Sequence, residues 1–327
     1  MAVKTLLTAR AILEASRGAG GTPTRLIYFE EGNHNQDITT LRPRELRNSY
    51  FPSFRAYAGV ERNGFEFSGD FTFDQAIWWL NLHVKAVASG TGGGADKTWA
   101  FTPAASTDDI KSALIQFGYA DGIGASVPAW EVPYVLGDEL SLSFVKNDTV
   151  KFSSRLMSAK GATQISAFTG ALSDVAMVSM VGQDTEVWID PTTIGTTADT
   201  DILDATWTLN NGFVYLDTLT NTGVAKDLKR PEPRSWQLEL TRYYSNDTEL
   251  DRFIDKAERK IRIKNTGPVL GGTFYSLTLD CYGVLDTYEK ADVDGLGVAK
   301  LTYLPIYDAT PTSDFVITVV NASATIT

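Results

Sequence analysis

The stretch VERNGFEFSGDFTFDQ, at residues 60–75, carries the two patterns that decide the fold class of this chain. Aromatic and polar residues alternate across Phe65–Asp70, and a period of two is typical of a half-buried β-strand. Asn63-Gly64 stands just before this run and predicts a type I′ hairpin turn from an earlier strand at Phe54–Val60, because both turn residues tolerate positive φ. A β-hairpin is therefore expected here.

A helix is predicted directly after this strand. Thr72, with Gln75 three residues later, makes a capping box and predicts a helix from about Thr72 to Ala88. We expect His83, inside the helix, to be a packing or surface residue. The apolar residues recur on one face at helical spacing: Phe73, Ala76, Ile77, Leu80, Val84 and Val87.

A second helix is predicted from about Asn246 to Lys260. Asn246 can cap it, Glu249 suits its first turn, and Asp255 with Arg259 makes a favourable pair one turn apart. Its predicted apolar face consists of Leu250, Phe253, Ile254, Ala257 and Ile261.

Strands dominate the remaining sequence. Asn211-Gly212 predicts a second hairpin, between Ala205–Leu209 and Phe213–Leu219. The sequence therefore predicts a mainly β (α+β) fold. The other predicted strands are Thr98–Thr102, Ala113–Tyr119, Leu140–Phe144, Trp236–Leu240, Ile261–Lys264, Phe274–Val284, Ala299–Tyr307 and Phe315–Val320.

These elements come in the same order twice: hairpin, strand, capped helix, strand, then a pair of strands. The order predicts an internal duplication whose boundary lies between Ala171 and Gln183. We expect an exposed N-terminal arm at 1–23 that becomes ordered against a partner, a first domain at 24–178 and a second at 179–327. Each domain is expected to consist of packed antiparallel sheets flanked by one α-helix.

The composition favours some function classes over others. The 327-residue chain has a formal charge of −11 and a pI of about 4.7, which disfavours tight DNA binding because phosphate contacts require Lys and Arg. It contains no run of eighteen apolar residues, so no transmembrane helix is expected. A single cysteine, Cys281, agrees with manufacture in a host cytoplasm.

Residues that could carry chemistry are few. The only histidines are His34 and His83, and the polar stretch Glu30–Asp37 around His34 matches no standard metal site, so a solvated loop is expected there. Asp138-Glu139 and Asp108-Asp109 are neighbours in sequence. On an extended strand such neighbours point to opposite faces, so they do not form a catalytic pair.

Two glycine-containing motifs also favour turns over binding sites. Asp292-Val293-Asp294-Gly295 lacks the remaining ligands of a calcium loop and predicts a hairpin turn between the last long strands. The pairs Gly122-x-Gly124 and Gly295-x-Gly297 lack the third glycine of a dinucleotide-binding motif. We predict no catalytic, cofactor-binding or metal-binding residues, no cofactor and no enzymatic activity.

Residues 60–75, followed by Ile77–Val84 and the strand Thr98-Trp99-Ala100-Phe101-Thr102-Pro103, resemble the major tail tube proteins of long-tailed bacteriophages, the siphophages. In that family a hairpin strand leads into a helix, then a loop, then a strand ending in aromatic-Thr-Pro. The resemblance spans roughly residues 24 to 322. The C-terminal half is similar at Leu238–Tyr244, the capped helix, Phe274–Leu285 and Phe315–Asn321.

The resemblance implies two tandem tail-tube-type domains whose subunits close a ring around a lumen and stack into a tube. The partners it implies are other copies of the chain, as a homotrimer with pseudo-sixfold symmetry or a homohexamer, and the tape measure, tail terminator and tail tip proteins. Viral DNA would pass an acidic lumen without specific binding. The expected location is the tail of the virion.

Two alternatives remain open. A carbohydrate- or receptor-binding β-sandwich of a phage tail tip would use exposed aromatic rings, and Trp130, near Pro128 and Pro133, is predicted to be the most exposed of seven tryptophans. A β-rich hydrolase would need carboxylates that converge in space.

Overall fold

The structure is a computed structural model that describes residues 7–42, 55–104, 110–119, 129–170, 172, 177–219, 223–244, 248–293 and 295–326. Within these residues the chain forms eighteen β-strands and two α-helices. The predicted mainly β class is confirmed. Each predicted strand overlaps an observed strand, although the strands predicted at Thr98–Thr102, Ala299–Tyr307 and Phe213–Leu219 extend beyond the observed ones and several other observed strands are longer than predicted.

The helices are α1 Phe73–His83 and α2 Thr248–Asp255. The strands are β1 Leu7–Leu13, β2 Arg25–Ile27, β3 Glu31–Leu41, β4 Tyr57–Asp70, β5 Lys97–Phe101, β6 Ala113–Tyr119, β7 Ala129–Val145, β8 Lys151–Ser158, β9 Thr163–Ile165, β10 Thr185–Asp190, β11 Ile202–Asn210, β12 Val214–Leu216, β13 Asp227–Lys229, β14 Ser235–Tyr243, β15 Glu258–Leu270, β16 Thr273–Val293, β17 Leu296–Pro305 and β18 Phe315–Asn321.

Hydrogen bonds join sixteen of the strands into one continuous antiparallel sheet, within which two runs of strands, here called the broad sheet and the narrow sheet, share β16. The broad sheet has the order β16-β17-β14-β11-β7-β8-β4-β3, and the narrow sheet has the order β10-β15-β16-β18-β5. Strand β16 belongs to both sheets, because its first half pairs with β18 and its second half with β17. Strands β6, β1 and β2 continue from the first half of β7, and β9 also pairs there.

Helix α1 is enclosed in the core. Thr72 Oγ1 accepts a hydrogen bond from the Gln75 backbone N–H at 3.2 Å, which confirms the predicted cap, and the helix ends earlier than predicted. Every residue of α1 is buried, and the helix contacts β7 of the broad sheet and β18 of the narrow sheet. The prediction of a single apolar face on a flanking helix is therefore wrong. Polar residues occur inside because they have partners, as when Asn81 Nδ2 donates to the Ile77 carbonyl at 2.8 Å.

Helix α2 is shorter than predicted and far more exposed. Strand β15 begins at Glu258, so Arg259 lies in a strand and the predicted helical pair with Asp255 does not form. Ile254 is 65% exposed, whereas Glu249 is buried. The predicted cap residue Asn246 lies outside the described residues.

The hairpin predicted at Asn63-Gly64 is wrong. Strand β4 runs straight through both residues, and Asn63 is buried with its Nδ2 donating to the Lys160 carbonyl at 2.9 Å. A Cβ at position 64 would lie 2.9 Å from the Leu156 carbonyl oxygen, so glycine permits close approach of β8. The Asn-Gly dipeptide often marks a turn, but at this position it allows two strands to pack closely. Phe54, in the predicted partner strand, lies outside the described residues.

The second predicted hairpin is also wrong, although a turn does occur. Gly212 has φ +62°, and the chain turns there after β11. Strand β12 then leaves the broad sheet and pairs with β13 in a separate two-stranded sheet. The partners of β11 are instead β7 and β14.

The prediction of an exposed N-terminal arm is wrong for the residues that the structure describes. Strand β1 lies between β6 and β2, and Ala9 and Ala11 are fully buried. Glu14 ends the strand in a buried site, where its carboxylate accepts hydrogen bonds from Ser112 Oγ at 2.6 Å and Gly18 N at 2.8 Å. These bonds compensate the cost of burying the charge.

One hydrophobic core contains side chains from both sides of the predicted boundary at 178/179. Strand β5 of the first half pairs with β18 of the second, and β7 pairs with β11. Phe73 and Tyr275 pack with ring centroids 5.7 Å apart. The boundary therefore does not coincide with a break in the core of the described residues, and the division into two tail-tube-type domains stays a prediction.

Candidate assembly surface

A long hairpin of β3 and β4 lies at one edge of the broad sheet. The two strands pair from Glu31 with Ser68 to Leu41 with Tyr57. Strand β8 accompanies β4 only from Asn63 onwards. Residues 37–42 and 55–62 therefore project beyond β8, and we call them the hairpin extension.

The outer side of β3 is an open edge. Among the described residues, β4 is the one strand that pairs with β3. All eleven residues of β3 are exposed except Gly32 and His34, which are half-buried. Open edges expose backbone N–H and C=O groups that accept a strand from another chain. Here the polar residues Asn33, Asn35 and Gln36 keep the edge hydrated.

The sequence predicts a solvated loop around His34. The residues form a strand instead, but most of them are exposed as a solvated loop would be. His34 lies in β3, with its ring stacked on Phe65 at 4.8 Å and its Nε2 3.2 Å from Asn63 Oδ1. Burial lowers the pKa of His34 below its ordinary value. Both contacts join β3 to β4 and stabilise the hairpin.

Exposed apolar side chains lie at the described end of the hairpin extension, next to residues 43–54, which lie outside the described part of the chain. Ile38, Leu41 and Tyr57 are each about half exposed, and Leu41 and Tyr57 are direct cross-strand partners. Arg42 follows Leu41 and is also exposed. Exposed apolar side chains grouped together are typical of a contact site rather than of a free surface.

The face of β4 beside the extension forms a groove of about 400 Å³. Arg62 lies along it, 2.9 Å from Asp217, with its guanidinium carbon 4.9 Å from the ring centre of Tyr215. Further along, Arg155 donates two hydrogen bonds to Asp138, at 2.6 and 3.0 Å. The contacts of Arg62 fasten the base of the hairpin to the second half of the chain, whereas the pair of Arg155 and Asp138 joins β8 to β7.

Asp138 and Glu139, tested above as a carboxylate pair, have different environments. Asp138 is buried and accepts a hydrogen bond from the Phe213 backbone N–H at 2.9 Å in addition to those from Arg155. Glu139 is 39% exposed at its side chain and lies 3.6 Å from Arg155. The buried carboxylate of Asp138 is therefore engaged in hydrogen bonds that stabilise the fold. The other adjacent pair, Asp108-Asp109, lies outside the described residues, as does the glycine pair at 122 and 124.

His83 packs inside the core, which is the first of the two alternatives predicted for it, a packing or a surface residue. Its Nδ1 lies 2.8 Å from the Trp79 carbonyl, so that nitrogen carries the hydrogen, and its Nε2 accepts from Ser154 Oγ at 3.1 Å. Burial lowers the pKa of His83 to about 4. Asn211 Nδ2 donates to the carbonyl oxygens of His83 and Gly137, each at 2.8 Å. We call these residues, with Ser154, the His83 junction.

The remaining candidate residues lie apart from the hairpin extension or play local roles. Trp130 is half-buried, with its ring 6.0 Å from that of His34. The turn predicted at Asp292–Gly295 is confirmed by the pairing of Val293 with Leu296, although Asp294 lies outside the described residues. Within the described part of the chain, no group of three or more His, Cys, Asp or Glu residues has the geometry of a metal site.

No family model matches this sequence, and no curated protein matches it with significant similarity. None of the helices in the described ranges is both long and apolar enough to cross a membrane.

Proposed function

We propose that this chain is a structural subunit of a bacteriophage tail tube, which closes into rings with copies of itself and stacks them into a conduit for the viral genome. The observation that carries the proposal is the open edge of β3, an eleven-residue exposed strand on a projecting hairpin. A long open edge is a hazard for a protein that works alone, and natural sheets usually shorten or cover it. A closed ring uses such an edge for pairing and limits growth by symmetry.

The charge of the chain supports the same proposal. A net charge of −11 disfavours retention of DNA, because phosphates bind proteins mainly by displacing counterions at basic residues. Ring closure as a homotrimer or a homohexamer, the tape measure, terminator and tip partners, and the location in the virion all belong to this proposal.

Two adjacent proline variants, Asn35→Pro and Gln36→Pro, test the role of the edge. Successive residues of a strand direct their N–H groups to opposite sides, so one of the two substitutions removes an outward N–H and the other removes a bond to β4. The outward variant is expected to keep the thermal stability of the parent protein and to lose ring closure in negative-stain electron microscopy. Rings from both variants would contradict the role of β3.

A further inference from the structure

The asparagines of both Asn-Gly steps in the sequence, which predict hairpin turns, are buried in the structure. Asn63 is 1% exposed within β4, and Asn211 is fully buried directly after β11. An asparagine followed by glycine readily loses its side-chain nitrogen as ammonia, because glycine has no side chain to hinder attack by its backbone nitrogen. Each step is therefore a chemically labile point whose asparagine the fold encloses.

This reaction, deamidation, needs only water. The backbone nitrogen of the glycine loses its proton and attacks Cγ of the asparagine. The new C–N bond closes a succinimide ring, the bond from Cγ to Nδ2 breaks, and ammonia leaves. Water then opens the ring at either carbonyl, so the product is aspartate or isoaspartate. Ring closure requires the backbone to rotate until the glycine nitrogen meets the side chain.

The folded chain fixes the side chain of Asn211 on both sides. Its Nδ2 donates to the carbonyl oxygens of His83 and Gly137, each at 2.8 Å. Its Oδ1 accepts from Arg230 Nη2 at 2.8 Å, and Arg230 Nε donates to its backbone carbonyl at 2.9 Å. Four hydrogen bonds therefore oppose the rotation that ring closure needs.

The attacking nitrogens are held as well. The N–H of Gly212 donates to Asn210 Oδ1 at 2.8 Å. Gly64 lies in the middle of β4, where it is paired with Asn35 of β3 on one side and Met157 of β8 on the other. Ring closure at either step must therefore wait until this part of the structure opens.

Asn63 is bound in a similar manner to Asn211. Its Nδ2 donates to Glu61 Oε1 at 2.8 Å and to the Lys160 carbonyl at 2.9 Å, and its Oδ1 lies 3.2 Å from His34 Nε2. At both sites one NH₂ group serves two acceptors. An ionised aspartate has no hydrogen to donate, so at position 63 it would face the carboxylate of Glu61 and at position 211 two carbonyl oxygens.

We propose that Asn63-Gly64 and Asn211-Gly212 are deamidation sites that the fold protects and that unfolding exposes, so that a chain which stays unfolded loses the ability to refold. The product leaves buried acceptors without a donor and adds a buried charge, and both changes oppose refolding. Unfolding followed by such a modification is irreversible, so the lifetime of the folded chain depends on its rate of unfolding. The proposal does not depend on what the chain assembles into.

Peptide mapping by mass spectrometry tests the protection. The full-length chain is kept at mildly alkaline pH, in buffer or in denaturant, and conversion at each Asn-Gly step is followed over time. Conversion in buffer is expected to be on the order of a hundredfold or more slower than in denaturant, because protected sites open in only a small fraction of molecules. Similar rates in the two solutions would overturn the protection.

Two aspartate variants test the consequence for folding. Asn211→Asp imitates the product. Asn210→Asp is the matched control, because Asn210 is exposed and an aspartate there keeps an oxygen that accepts from the Gly212 N–H. Asn210→Asp is expected to melt like the parent protein, whereas Asn211→Asp should melt at a lower temperature or fail to fold. Equal melting temperatures of the two variants would overturn the proposal.

Refolding of the parent protein gives a second readout that needs no variant. After increasing times in denaturant the chain is diluted into buffer, and the refolded fraction is compared with the conversion at the two steps. Briefly unfolded chains should regain the native thermal melt, and the refolded fraction should fall in step with conversion. Complete refolding of chains that are converted at both steps would overturn the proposal.

Discussion

The His83 junction and the hairpin extension differ in where their polar groups find partners. At the junction, each polar atom of the His83 ring has a partner inside the protein, and Asn211 bonds two carbonyl oxygens of separate elements. Along β3, most side chains face water. The junction therefore stabilises the fold, whereas the extension contributes less to stability and is the surface that we propose contacts a second copy. Substitutions should separate the two effects.

The largest effect is expected from Gly137→Ala. A Cβ at this position would lie 2.4 to 2.5 Å from atoms of the His83 ring, which is itself fully enclosed and cannot move away. Overpacking of this kind should lower the free energy of unfolding by about 3 kcal/mol or more, measured by chemical denaturation. Gly297→Ala is the control, because a Cβ there meets no atom within 4 Å. Equal stability of the two variants would contradict the tight junction.

The second-largest effect on stability is expected when the pH is lowered. The pKa of His83 is about 4 in the folded chain, below the ordinary value of 6.5 that applies on unfolding. The unfolded state therefore binds more protons below pH 6.5, and stability falls as the pH drops. The expected loss from this group is about 2 kcal/mol between pH 6.5 and 4.5.

The variants His83→Gln and His34→Gln compare how much the two regions contribute to the pH dependence of the unfolding free energy. Both histidines have lowered pKa values, but His34 is only half-buried on the exposed strand. Replacement of His83 should remove more of the pH dependence of the unfolding free energy than replacement of His34. The reverse order would show that the hairpin, and not the junction, holds the sensitive histidine.

A smaller effect is expected at the start of α1. Thr72→Ala removes the hydroxyl that accepts from the Gln75 N–H and should cost about 1 kcal/mol of stability. Thr72→Ser keeps the hydroxyl and should remain within experimental error of the parent protein. A matching loss in both variants would mean that the methyl group, not the cap, is responsible.

The smallest effect is expected in the hairpin extension. Ile38→Ser changes a side chain that is 48% exposed and should alter the unfolding free energy by less than about 0.5 kcal/mol. A thermal melt monitored by circular dichroism measures this. A large loss of stability would show that the hairpin extension also stabilises the fold, so it would no longer differ from the His83 junction.

The sequence predicts the junction less well than the strands, for a physical reason. Alternation identified strands such as Trp236–Leu240 because one face of β14 meets the core and the other meets water. The same logic failed for α1, where a single apolar face was predicted but the polar residues Asp74, Gln75 and His83 are buried as well. Whether an internal partner exists for such residues depends on chain segments far away in sequence, such as Ser154.

The candidate surface was missed for a related reason. The polar composition of β3 predicts a loop, because nothing local distinguishes an exposed edge strand from one. Asn63-Gly64 predicts a turn, and the requirement for a small residue beside the Leu156 carbonyl is visible only in three dimensions. The charge and the lone cysteine could be read directly, since they need no knowledge of contacts.

Negative-stain electron microscopy of the purified, unaltered chain tests the central claim most directly. If the open edge of β3 exists to pair with another copy, the micrographs should show rings with a central hole, and stacks of such rings, on purification or after addition of nucleating tail components. Dispersed particles the size of one 35.7 kDa chain at every concentration, with no rings under either condition, would contradict the account.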